Sequence, residues 1–465
     1  MKNAIMKNTG IILSAFLIFA ACSVQAQHRH ATKDSLKMPM QDTTKMIDMH
    51  HSHEGMSGMD MSGMNMPMNH AFSLNLPMSR NGSGTAWLPD ASPMYGYMIH
   101  KNSWMFMFHG DIFPRFNQAD IFKNGKRGAA KWDAPNMLMA MGQRKTGSNG
   151  LFHFNIMLSA DALIAGGSGY PLLLQSGESW EGKSLVDRQH PHDLFSELSV
   201  SYAYALSKKT DLYLYLGYPG EPALGPVAFM HRPSAMFMAD APIGHHWADA
   251  THISFGVATM GFRFDRFKLE ASSFTGREPD ENRYNFDKPL FDSWSGRLSF
   301  NPNENWSLQV SHGFIKSPEA LHLNEDVNRT TASATFVYPF SSRVYIASTA
   351  LWGQNKISGE NASNSALLEA TFKSNRLVLY TRYEWVQKSV EELDLNPSIY
   401  GAPENLFPVN AFSLGAGYDL FSVGNLIIAG GGQLSVYKTD RMLHALYGNM
   451  PLSGQLYLHI YPGRM

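Results

Sequence analysis

The sequence predicts an all-β chain: a transmembrane outer-membrane β-barrel of about 14–16 antiparallel strands, preceded by a disordered Met/His-rich arm. Three observations carry this reading. From about residue 101 onward, polarity alternates with a period of two, in segments close to the roughly 9–11 residues of a tilted membrane strand. No stretch beyond the first 26 residues reaches the ~18 apolar residues of a spanning helix, and only helices and closed barrels satisfy their backbone in lipid. The chain also opens on an export signal.

Residues 1–26 form that signal. Lys2 and Lys7 precede the uncharged run Gly10–Ala21, too short to span a bilayer and right for a secretory apolar region. Cleavage after Ala26 would discard the only cysteine. Cleavage at Ala21-Cys22, which resembles a lipoprotein box, would leave Cys22 to carry lipid. Both readings stay open, and neither leaves a pair for a disulfide.

Residues 27–100 are read as the arm and a linker. Almost no aromatic or β-branched bulk occurs up to residue 70, so chain entropy is not offset by burial. The 465-residue chain has 28 methionines. Ten of them fall here: Met38, Met40, Met46, Met49, Met56, Met59, Met61, Met64, Met66 and Met68. His50, His51, His53 and His70 stand among them, with His28 and His30 upstream. Thioether sulfur is soft and suits monovalent copper or silver; imidazole suits divalent copper and zinc. One methionine is a feeble ligand, but several at i, i+2 spacing on a flexible chain can converge on one ion. Metal capture is the reading, with a low-complexity spacer as the alternative. Copper is the expected ion, with silver and zinc as alternatives.

Residues 101–465 are the barrel. Trp104, Phe106, Phe108 and Ile112 share one strand face, and Met105, Met107, His109 and Asp111 the other. The second set belongs in the lumen, because His109 and Asp111 would be costly in lipid. Met137, Met139 and Met141 alternate in the same way, and their face is left open. Later segments repeat the pattern, for example Leu377, Leu379 and Tyr383 against Val378, Tyr380, Arg382 and Glu384. NPNEN (301–305) and KSN (373–375) read as hairpin turns. About 15 candidate segments are visible, and the even-number rule leaves 14 or 16 strands.

Two irregular stretches hold the remaining candidate ligands. In DRQHPHDL (187–194), His190 and His192 point the same way if the backbone is extended, and Asp187 and Asp193 are placed to orient them. In Met230–His252 stand His231, His245, His246, Asp249 and His252, with Met230, Met236 and Met238. The spacings i, i+4 and i, i+3 put His245, Asp249 and His252 on one helical face, a three-ligand arrangement. Hydrogen-bonding loop histidines are the alternative. Residues 216–226 read as a rigid loop former, and the charges of 276–284 as surface solvation, with pore lining as the alternative. No metalloprotease, serine-hydrolase or phosphate-loop motif occurs, so no catalytic residue is assigned. Near-balanced charge, 38 Lys+Arg against 39 Asp+Glu, excludes nucleic acid as a partner held by bulk charge.

The order of signal, Met/His-rich arm and barrel resembles the copper-resistance protein B family of Gram-negative outer membranes. The resemblance implies copper binding or passage at the outer membrane, with membrane lipids, metal ions and periplasmic metal-efflux components as partners. DRQHPHDLF, HHWADATHISFG and GREPDENRYNFD are more similar to an uncharacterised group of bacterial exported proteins. Three functions therefore compete: a metal-handling barrel in resistance or homeostasis, a barrel enzyme acting on lipid or lipopolysaccharide through the histidine loops, and a porin-like channel.

Overall fold

Period-two alternation becomes a closed antiparallel barrel of 16 staves. The computed structural model describes residues 69–123 and 125–465. The signal, Cys22 and the arm to Met68 lie outside the described residues.

Two staves are each broken by a proline, which lacks the ladder N–H. Trp104–Ile112 and Arg115–Gln118 are one stave interrupted at Pro114, and Ala130–Asp133 and Asn136–Thr146 are one interrupted at Pro135. Gly150–Leu158 follows, and 13 uninterrupted strands run from Phe195–Ser207 to Leu452–Pro462. Closure pairs the last strand with the first stave, from Gly454↔Gln118 to Ile460↔Ile112. The short strand Tyr97–Lys101 carries that line onward, with Tyr97 opposite Phe108 and Lys101 opposite Trp104.

The two ends of the barrel differ. One has tight turns, such as Asp265-Arg266, Asn375-Arg376 and Gly424-Asn425, whose first residues take φ of 53°, 52° and 60°. Gly, Asn and Asp tolerate that left-handed conformation, and the primed hairpin turns need it. NPNEN (301–305) and the turn at Asn375 are connections of this end, as expected. The other end carries the long connections, including 159–194, 218–256, 275–292 and 390–405. This asymmetry is that of bacterial outer-membrane barrels, with short periplasmic turns and long external loops.

Each strand sorts its side chains by face. In Thr210–Gly217, Leu212, Leu214 and Leu216 are exposed on the outside, while Asp211, Tyr213 and Tyr215 are buried inside. Val200, Met260, Leu269, Leu298, Val310, Leu414 and Leu456 continue the outer belt. Trp294, Trp306, Phe264, Tyr338 and Phe421 add aromatic side chains to it. A charge on such a face costs about 2–4 kcal/mol at mid-bilayer. The charges accordingly turn inward: Arg115, Lys268, Glu270, Arg297, Arg329, Glu369, Arg382 and Glu384 are all buried. With this apolar outside and charged inside, the chain sits in the outer membrane.

Those inward charges hold folded chain inside the barrel. Residues 69–100 are ordered, which corrects the linker reading of that stretch. Thr85 donates to Glu270 at 2.5 Å and accepts from Arg297 at 2.8 Å; Ser307 donates to the Trp87 carbonyl at 3.1 Å. The Gly-, Ser- and Pro-rich text looks like a linker because its own residues supply little of its burial. The barrel wall supplies it. The long connection 218–256 enters the lumen in the same way. Arg232 donates to Glu369 at 2.6 Å, Ser234 to the same carboxylate at 2.9 Å, and Asp240 pairs with Arg115 and accepts from Gln433 and Gln455. Buried pairs of this kind cost about 3–5 kcal/mol when one partner is removed.

Candidate functional site

Side chains of the types that ligate metals collect, among other places, in two clusters inside the barrel that are joined by one turn. The first is a methionine chamber. Met105 and Met107 stand on the first stave, Met137, Met139 and Met141 on the second, and Met157 on the third. The ladder sets Met107 opposite Met141, His109 opposite Met139, and Met139 opposite Met157. All face the lumen, which settles the open question over Met137, Met139 and Met141. Met78 and Met94 join from the N-terminal segment, and Met230 and Met236 from the 218–256 connection. Between them is a cavity of about 100 Å³ lined by Met78, Met94, Met107, Met139, Met141, Met230 and Met236, together with His109 and His231.

The two imidazoles of the chamber lie 6.3 Å apart, centroid to centroid. Nδ1 of His109 lies 2.8 Å from the Tyr95 carbonyl, so it carries the proton and Nε2 keeps its lone pair. Burial pushes His231 down to about 3, with His109 adding to the effect, so its ring is neutral. The Met139 sulfur accepts from Asn155 Nδ2 at 3.4 Å.

The second place is an imidazole cluster. His190 and His192 arrive from the 159–194 connection. His245 and His246 lie on the short helix His245–Ala248, and His252 ends the turn Ala250–His252. Ring centroids are 6.1 Å apart for His190–His192, 6.2 Å for His190–His246, 5.4 Å for His192–His252, 5.2 Å for His245–His252 and 5.3 Å for His245–His246. The expected meeting of the two histidine loops therefore occurs.

Four of these rings are held by oxygen at Nδ1, His190 by the Pro191 carbonyl at 3.3 Å. His192 lies 2.8 Å from Asp161, His245 2.7 Å from Asp249, and His252 2.7 Å from the Asp249 carbonyl. This fixes the tautomer that leaves Nε2 free. Among the described residues, Nε2 of His192, His246 and His252 is buried without a hydrogen-bond partner. Burial holds His190 and His252 well below the usual imidazole range and His246 at about 4, so all three are neutral at pH 7. Burial, with Glu278 next in effect, pushes Glu178 up to about 7.

Several expectations need correction. Asp249 is no ligand candidate. It lies 2.9 Å from Arg232 and 2.7 Å from His245, and despite burial, His245 and Arg232 hold it well below the carboxylate range. It serves as counter-ion and anchor. Asp187 and Asp193 do not orient the imidazoles: Asp187 accepts from Leu174 N–H and Arg127, and Asp193 from Arg283. Asp161 takes that role instead. Arg283 is buried against Asp193 and Glu178, and Glu278 lines the cleft of the long-loop end, which favours the pore-lining alternative over surface solvation for these two charges. His70 is separate from both clusters, between Phe72 and Trp87, where its Nδ1 accepts from the Phe72 N–H at 3.0 Å. Met38 to Met68 and His50, His51 and His53 lie outside the described residues.

One turn joins the two places. Phe229–His231 is a single turn of 3₁₀ helix. The Phe229 ring lies 5.4 Å from His245 and 6.4 Å from both His192 and His252, while Met230 and His231 line the methionine chamber.

No family model and no curated protein matches the sequence. Among solved structures, the chain is similar to the Salmonella typhi OmpF complex with daunomycin, at 11% identity and TM-score 0.47, over 79% of this chain and 99% of that one. It is also similar to an anion-selective porin from Comamonas acidovorans, at 11% identity and TM-score 0.47, over 77% and 99%. A third likeness is OmpT, an outer membrane protein of Vibrio cholerae, at 8% identity and TM-score 0.43, over 78% and 99%. The membrane placement rests on the outer belt described above, and nothing about cargo follows from these likenesses.

Proposed function

We propose that this outer-membrane barrel binds and passes soft metal ions, copper(I) or silver(I), through its methionine chamber. The observation that supports this reading is the convergence of thioethers from separate segments on one small cavity with two neutral imidazoles. Elsewhere inside the barrel the apolar packing is done by other side chains, such as Phe274, Ile315, Val337 and Val378, while thioethers are gathered at this one level. Sulfur without charge selects a soft monovalent ion over the hard cations of the medium. No energy source is needed for passive binding and release. The arm, with its ten methionines between Met38 and Met68, is the matching capture element in this proposal.

The test is a silver(I) titration of the refolded protein without residues 27–68, against the same protein carrying Met139→Leu, Met141→Leu and Met230→Leu. Residues 69–465 form a compact unit of their own, and leucine conserves methionine's volume, so the variant keeps its fold. The parent is expected to bind one tight equivalent that the variant lacks. Equal binding by both would end the chamber reading.

A second reading, a porin-like channel indifferent to metal, is supported by the barrel itself, with its closed sheet, charged lumen and long external loops. It predicts solute conductance that silver does not block. The lipid-enzyme alternative has less support, because the imidazoles are buried in the lumen and not on a lipid-facing rim.

A further inference from the structure

The long-loop end holds a cleft of about 180 Å³ whose lining includes eight glutamates against two arginines, Arg283 and Arg329. Glu178 and His246 form part of its wall, and His190 packs against both. We propose that Glu178, His190 and His246 form a seat for a divalent borderline ion, zinc(II) or copper(II), at the inner wall of this cleft. The seat is separate from the methionine chamber in position and in chemistry.

Geometry carries the proposal. One ligand atom from each of the three residues lies within 4.8 Å of the other two. His190 Nε2 is 3.2 Å from Glu178 Oε1. His246 Nε2 is buried with no partner, and its Nδ1 faces Glu278 at 3.6 Å. A carboxylate behind a ligating imidazole is the usual outer support of such a centre. The backbone makes room for the ring: Gly177 has φ +107°, and a Cβ there would come within 2.8 Å of the His246 imidazole. Two imidazoles and a carboxylate with one open position suit zinc(II) or copper(II) and do not suit a thioether-seeking ion. The acidic walls draw cations from outside, because a cleft lined by one sign of charge concentrates the opposite ion. Cations thus reach the imidazoles before the methionines.

The inference extends the metal-handling reading, but its test uses no monovalent ion, so either can fail alone. Full-length refolded protein, stripped with chelator, is titrated with cobalt(II). Visible absorption is recorded, and zinc(II) is then added in competition. Parent protein is expected to hold a zinc-displaceable equivalent that His246→Ala and His190→Ala each lose, and that Glu178→Gln binds at least about tenfold more weakly. His322→Ala serves as the control, since His322, Glu325 and Glu391 form a second such group in the outer part of the cleft. If His322→Ala loses the equivalent and His246→Ala keeps it, the seat is misplaced. If none of the four variants alters cobalt binding, the proposal is wrong. A difference in gel mobility between the unboiled and the boiled barrel verifies folding. Glu178→Gln, which keeps size and shape, remains decisive if an alanine variant fails to fold.

Discussion

The methionine chamber and the imidazole cluster share one lumen and differ in what stands behind the ligands. Behind the imidazoles stand oxygens: Asp161, Asp249 and its carbonyl, and Glu278. Behind the thioethers stand mostly other thioethers, with Asn155 on the Met139 sulfur and the Tyr95 carbonyl on His109. An imidazole is basic and directional, so its tautomer must be fixed before it can ligate. A thioether is neutral and adaptable, so its selectivity comes from number and convergence. In the proposed reading one barrel sets out two selectivities, and the Phe229–His231 turn touches both places.

The largest expected effect is on what both places share, the anchoring of the 218–256 connection. Glu369 accepts from Arg232, Ser234 and Arg382. Glu369→Ala would leave two buried guanidinium groups without their common partner, at a cost of about 3–5 kcal/mol. The connection should loosen, thermal unfolding in detergent should come earlier, and single-channel conductance should rise above that of the parent. Unchanged conductance would mean that this connection does not obstruct the lumen, and would favour the simple porin-like reading.

How much of this was legible in the sequence depends on range. Strands were legible, because alternation is local: Leu212, Leu214 and Leu216 against Asp211, Tyr213 and Tyr215 can be read within one strand. Stave number was blurred by Pro114 and Pro135, which split two staves without ending them. The burial of residues 69–93 was illegible, since Thr85 meets Glu270 across 185 residues. The pairing of the histidine loops was legible from residue type alone. Asp249 was misread because i, i+4 spacing cannot separate a ligand from a counter-ion. Arg232, 17 residues away, decides that. Glu178 and Asp161 were missed because each stands 12 or more residues from the histidine it meets, and only the fold brings them together.

An intermediate effect should separate the two places. Gly177→Ala puts a methyl group against His246 at a backbone conformation that L residues rarely adopt, a cost on the order of 1–3 kcal/mol. Divalent binding should fall steeply, while the silver equivalent of the chamber stays within error of the parent. Loss of both together would mean that the two places are one mechanical unit.

The smallest effect probes the oxygens themselves. Glu278 does not belong to the proposed seat; it faces Nδ1 of His246 and leaves Nε2 to the ion. Glu278→Gln keeps the side chain's size and removes its charge. If the carboxylate sets the ring's tautomer and raises its basicity, zinc affinity should drop about tenfold, the lower end for outer-shell partners of ligating histidines. That is about 1.4 kcal/mol, too little to unfold a barrel. The chamber has no counterpart to this device, so silver affinity should not move. An equal loss for both ions would show that Glu278 acts only by drawing cations into the cleft. Glu278 also lies against Glu178, so a loss confined to zinc that persists in the Glu178→Gln background would place the difference between the two proposed selectivities in the atoms behind the imidazoles.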